Sequence, residues 1–142
     1  MKKTFQLFLF ASLLLLGGVT AWAQTSGPCG TNATWSYDSS TKTLTISGTG
    51  AMTDYVFQNA TDGVSKTNAP WSRDASNPSW PDDITKIVIG EGITNIGNYA
   101  FISSTAEKVE LPTTLETIGS SAFQECSNLK YIIFPASLTN KV

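Results

Sequence analysis

Few side chains here are of kinds that do chemistry, and their spacing limits what that chemistry could be. The 142 residues include no histidine, which removes the commonest general base and metal ligand. Asp82 and Asp83 come nearest to a pair of working carboxylates. Adjacent residues of an extended chain point to opposite sides, so they fit better as the turn admitting the next strand. No glycine-rich loop precedes a helix to cradle a phosphate, and the two cysteines, Cys29 and Cys126, are too few to close a zinc site. With no nucleophile beside a base, the expectation is a non-enzymatic chain with no catalytic residue, no metal ligand and no cofactor.

The cysteines and aromatics leave two alternatives each. In an exported chain Cys29 and Cys126 could join in a disulfide. Cys126 also suits a small buried position, because free cysteine is among the most buried residue types. Trp35, Tyr37, Tyr55, Phe57, Trp71 and Trp80 gather in the first part of the chain. Trp35, Tyr37, Trp71 and Trp80 could offer a platform on which sugar rings stack, or the group could fill a small core, which is what aromatics mostly do.

The elements that would position any functional surface come from a repeat. Ile89-Gly90-Glu91-Gly92-Ile93-Thr94-Asn95-Ile96-Gly97-Asn98-Tyr99-Ala100-Phe101 returns, 22 residues on, as Leu111-Pro112-Thr113-Thr114-Leu115-Glu116-Thr117-Ile118-Gly119-Ser120-Ser121-Ala122-Phe123. A third copy follows at a spacing of 23 residues through Ile132-Ile133-Phe134-Pro135-Ala136-Ser137-Leu138. Such a period marks a solenoid, whose coils bury their apolar residues by stacking on one another. Each coil should contain a strand (86–89, 108–111, 131–134) and a second extended piece ending at Ile96-Gly97 or Ile118-Gly119. A short helical or 3₁₀ turn should follow at 98–101 and 120–123. The inward set is Ile84, Ile87, Ile89, Ile93, Ile96, Ala100 and Phe101, then Val109, Leu111, Leu115, Ile118, Ala122, Phe123, Cys126 and Leu129. Ala106 stands where the next coil has Leu129, so the first coil should pack more loosely there.

Upstream, Thr34-Trp35-Ser36-Tyr37 and Thr43-Leu44-Thr45-Ile46-Ser47 alternate around a polar turn and predict a β-hairpin, with Gly48-Thr49-Gly50 breaking its second strand. Residues 53–83 should form an irregular connection. At the start, Lys2 and Lys3, the apolar run from Phe5 to Val19 and Ala21-Trp22-Ala23 have the form of a secretory signal cut between Ala23 and Gln24. Its removal would leave 119 of the 142 residues and no membrane span. Of the nine basic residues seven then remain against eleven acidic ones, a net charge of −4. That balance and the absence of a basic cluster argue against nucleic acid as a partner. The organisation expected is a signal peptide (1–23), a β-rich N-terminal cap region (24–83) and a repeat solenoid (84–142), its coils at 84–107, 108–130 and, in part, 131–142. The fold class is a β-rich solenoid.

Ile118-Gly119-Ser120-Ser121-Ala122-Phe123-Gln124-Glu125-Cys126-Ser127-Asn128-Leu129, followed by Tyr131-Ile132-Ile133-Phe134-Pro135, resembles the Treponema-type, BspA-like leucine-rich repeats of bacterial surface proteins. The resemblance covers 84–138, and Trp35-Ser36-Tyr37-Asp38 with Pro70-Trp71 looks like the cap often found before such arrays. It implies an exported protein, secreted or on the cell surface, that mediates adhesion by binding a host-matrix or cell-surface protein. Leu111-Pro112-Thr113-Thr114-Leu115 resembles a sortase signal but lies inside a repeat, and reads as a turn. The N-glycosylation patterns Asn32-Ala33-Thr34 and Asn59-Ala60-Thr61 predict little in a protein that looks bacterial. Solenoids bind through extended faces. The expected ligand face is therefore Lys86, Val88, Lys108, Glu110, Tyr131 and Ile133, the outward strand positions. Two other functions compete with it. One is a carbohydrate-binding module using the aromatics. The other is a short array, below the roughly three repeats a stable stack needs, that self-associates through its open last coil.

Overall fold

A computed structural model describes residues 25–59, 65–72 and 83–139. The expected signal with its Ala23/Gln24 cleavage point, Asp82 and Trp80 lie outside the described residues.

Strand β1 (Ser26–Pro28) leads into the hairpin of β2 (Asn32–Asp38) and β3 (Thr43–Ala51). Asp38 closes the hairpin turn by accepting from the Ser40 amide at 2.8 Å and its hydroxyl at 2.6 Å. The register sets Trp35 opposite Ile46 and Tyr37 opposite Leu44, and all four side chains are buried on one face, as the alternation predicts. The glycines do not end β3. Gly48 and Gly50 adopt φ of 106° and 83°, and the strand bends through them to Ala51 with an irregular register. Left-handed backbone is open to glycine without a steric penalty, so the pair turns a corner where a break was expected. The connection that follows is more ordered than expected, with β4 (Phe57–Asn59) and β5 (Ser65–Thr67) forming an antiparallel pair.

The repeats supply β6 (Lys86–Ile89), β7 (Ile93–Ile96), β8 (Lys108–Glu110), β9 (Thr117–Ile118) and β10 (Tyr131–Ile133), with a short helix α1 (Ala136–Thr139) after the last. Among the described residues the main sheet runs β1-β2-β3-β6-β8-β10, parallel from β3 onward. A second line of pairing joins the bent end of β3 to β7 and β7 to β9. Among the described residues this is a β-rich repeat fold with almost no helix. The expected helical or 3₁₀ turns are instead chains of tight turns, because Tyr99, Ser103, Ser121 and Glu125 take φ of 53–58° and each interrupts a right-handed run.

Every inward residue expected in the first coil is buried, from Ile84 to Phe101. In the second, Val109, Leu115 and Ala122 are buried, whereas Leu111, Ile118, Phe123, Cys126 and Leu129 are only half covered. The difference is positional: the first coil lies between β3 and the second coil, while the second has only β10 and α1 on its far side. The first coil is also not loose at Ala106. That residue is 1% exposed, and Ile102, absent from the expected inward set, is also buried at 4%. The repeated glycine has a steric cause. A Cβ on Gly97 would sit 1.9 Å from the Thr53 carbonyl oxygen, and one on Gly119 2.5 Å from the Asn98 amide nitrogen.

Candidate functional site

The parallel register places the expected face in two straight rows. Lys86, Lys108 and Tyr131 align across β6, β8 and β10, and Val88 and Glu110 align beside them with Ile133 next along. Thr43 and Thr45 of β3 continue the rows beyond Lys86 and Val88. All six predicted residues therefore share one side of one sheet, as period-two alternation requires.

Their chemistry is unequal. Glu110 accepts from Lys108 at 2.8 Å and from Lys86 at 3.0 Å, both on Oε1. Those two bonds, Lys108 first, hold its carboxyl below the usual range. The polar half of the face is thus occupied with itself. Its apolar half is open: Tyr131 is 65% exposed and Ile133 79%. Phe134, next along the chain and outside the expected face, is 52% exposed. Three large apolar side chains at one sheet margin are the least solvent-adapted surface among the described residues.

The other expected sites resolve differently. Trp35, Tyr37 and Trp71 are buried, so they do not present a platform to a sugar. They pack with Tyr55, whose ring meets Trp71 edge-on at 5.2 Å, while Trp35 meets Trp71 in the same manner at 5.9 Å. Cys29 and Cys126 are both free thiols rather than a disulfide. Cys29 is buried between β1 and β2, and that burial pushes its thiol up to about 11. Cys126 instead donates to the Phe101 carbonyl at 3.1 Å in a separate coil.

A shallow groove crosses the corner lined by Met52, Asp54, Asn95, Gly97, Asn98 and Thr117. Its polar groups bond one another. Asp54 accepts from the Asn98 amide at 2.9 Å, Asn98 Oδ1 from the Ser120 amide at 2.7 Å, and Asn95 pairs with Thr94 and Thr117. Among the described residues, no group of three His, Cys, Asp or Glu side chains is placed to hold a metal ion. Within the same residues no helix is long and apolar enough to cross a membrane.

Residues 80–141 match the family described as BspA type Leucine rich repeat region (6 copies). The chain carries a BspA-like leucine-rich repeat region. It is also similar to the crystal structure of a leucine-rich repeat protein from Eubacterium ventriosum, with a TM-score of 0.58 and 31% identity over 75% of this chain. The chain spans 24% of that structure's length. No curated protein matches it. Leucine-rich repeat proteins are generally non-enzymatic and bind other proteins.

Proposed function

We propose that this BspA-like chain is exported, to the cell surface or the medium, and acts without catalysis as an adhesion module. Its repeats form a short solenoid on an N-terminal β-rich cap, and the strand face grips a host-matrix or cell-surface protein. The observation that carries this reading is the alignment of Lys86, Lys108 and Tyr131 with Val88, Glu110 and Ile133 on one side of the sheet, with Tyr131 and Ile133 uncovered. Exposed aromatic and aliphatic groups beside a charged rim are the usual composition of a contact hot spot. The basic, apolar and A-x-A order of residues 1–23 supports export.

The test is surface plasmon resonance of Gln24–Val142 against immobilised extracellular matrix proteins, with Tyr131→Ala and Ile133→Ser beside the parent. A loss of about tenfold or more in affinity is expected for each, the scale of a hot-spot truncation. Equal binding by parent and both variants would remove this face from the proposal.

A second reading is favoured by the same margin. Tyr131, Ile133 and Phe134 border the outer side of β10, which pairs with β8 on its other side. Among the described residues that outer margin is unpaired, and an unpaired margin with apolar neighbours is a template for pairing, so self-association through this coil is the alternative function. Light scattering across a hundredfold concentration range separates the two: a constant monomer mass rejects self-association.

A further inference from the structure

The stack of coils starts earlier than the repeats do. Successive repeat strands share a signature at their first residue, where two consecutive amides converge on one carbonyl of the previous coil. Glu107 and Lys108 donate to the Thr85 carbonyl at 2.9 and 3.3 Å, and Lys130 and Tyr131 donate to the Glu107 carbonyl at 2.9 and 3.1 Å. The same fork occurs one coil back, outside the repeats: Thr85 and Lys86 donate to the Lys42 carbonyl at 2.9 and 3.4 Å. Lys42 therefore holds the place that Thr85 and Glu107 hold later.

The correspondence continues along the coil. Leu44 and Ile46 register with Ile87 and Ile89, and Gly50 registers with Ile93. Tyr55 donates from its amide to the Asn98 carbonyl at 3.0 Å, just as Tyr99 donates to the Ser120 carbonyl at 3.0 Å. Asp54 Oδ1 takes the Asn98 amide as Asn98 Oδ1 takes the Ser120 amide. At the end of the coil stands the repeat phenylalanine, and here Trp71 occupies its column. Its ring stacks on Phe101 at 5.5 Å and 24°, and Phe101 stacks on Phe123 at 5.3 Å and 18°. The indole N–H also donates to the Ala100 carbonyl at 2.8 Å. Sixteen positions separate Tyr55 from Trp71 where two separate Tyr99 from Phe101.

We infer that Lys42–Tyr55 together with Trp71 is the founding coil of the stack, interrupted by an insertion, and that it templates the coils after it. The hairpin partner β2 completes this coil on its outer side, so it can order without the repeats. Each repeat coil, by contrast, takes hydrogen bonds and buried surface from the coil before it. Order then propagates in one direction, from the hairpin to β10.

Native-state hydrogen exchange of Gln24–Val142, read by mass spectrometry peptide by peptide, tests this. In Trp71→Ala, protection of β6, β8 and β10 should all fall, by about tenfold or more, including strands the indole never touches. Trp71→Phe, which restores the repeat's own residue to the column, should recover most of it. Phe123→Ala, at the far end, should loosen β8 and β10 while β2 and β3 keep parental protection. Loss confined to residues 25–72 in Trp71→Ala, with β8 and β10 unchanged, would overturn the inference. Equal loss in β2 and β3 on Phe123→Ala would overturn it too, because the chain would then open as one unit with no direction. If Trp71→Ala yields no folded protein, the Phe123→Ala pattern decides alone, and Trp71→Phe reports whether ring stacking suffices.

Discussion

Single residues in this chain matter mostly through backbone proximity. Gly97 passes so near the Thr53 carbonyl that no side chain fits, and the obstacle is main chain rather than a movable tip. Gly97→Ala should therefore destabilise by about 2–3 kcal/mol, as overpacking into fixed atoms does, measured as a shift in the urea midpoint. The left-handed residues give the opposite case. Ser121 carries φ of 54° at a turn, a conformation that L residues adopt at a penalty of about 1–2 kcal/mol. Ser121→Gly should lie between neutral and about 1 kcal/mol stabilising, since relief of that penalty is offset by the extra freedom of glycine in the unfolded chain. A clear loss on Ser121→Gly would show that the serine does more than tolerate the turn.

At the scale of the element, the sheet face is a set of ladders whose rungs differ in what they contribute. Glu110 ties β8 to β6 through Lys86 and pairs with Lys108 of its own strand, yet all three side chains are more than a third exposed. Water and salt screen such pairs, so Glu110→Gln should lower stability by under about 1 kcal/mol, and less in high salt. Thermal melts at two ionic strengths check it. The hairpin has a firmer attachment to the first repeat strand: the Tyr37 hydroxyl donates to Asp83 at 2.5 Å, and Lys42 pairs with the same carboxylate at 3.2 Å. Tyr37→Phe keeps the buried ring and removes only that bond. A loss of about 1 kcal/mol is expected, with exchange faster at Thr85 and Lys86, where the clasp holds the strand against β3. Alternation predicted which residues face out on each strand, and the structure agrees for all six. It could not show that Glu110 reaches across to Lys86 while Tyr131 and Ile133 are open, because that pairing depends on the register between strands 22 residues apart.

For the whole molecule, stability should narrow at both ends of the pH scale. Hydrogen bonds hold Asp83 and Glu110 below their ordinary values, Asp83 chiefly through Tyr37 and Glu110 chiefly through Lys108. A carboxyl depressed on folding adds stability above its unfolded value, and that stability is lost as the pH falls below it. Burial acts the other way on Cys29, raised from 9.0 to about 11, and on Tyr37, raised to about 12 by burial and then by Asp83. The unfolded chain gives up these protons first, so stability is complete below pH 9 and declines from 9 toward 12. Melting temperature followed across pH should show a plateau with both shoulders. Cys29→Ser should flatten the onset of the alkaline one, and an unchanged onset would detach Cys29 from it.

The sequence by itself determined the period of the repeats, their strands, the inner residues of the first coil, the outward strand positions and the glycines at each corner. These are local patterns, repeated at a fixed interval, and the same packing demand is written anew in every coil. Only the tertiary structure decided that β3 belongs to the stack, that Trp71 stands in the phenylalanine column, and that Trp35, Tyr37, Tyr55 and Trp71 face inward. Those facts depend on contacts across an insertion between Tyr55 and Trp71, which obeys no period. Burial and hydrogen bonding brought the two ends of that insertion into the geometry of one coil, and neither leaves a mark that spacing along the chain can show.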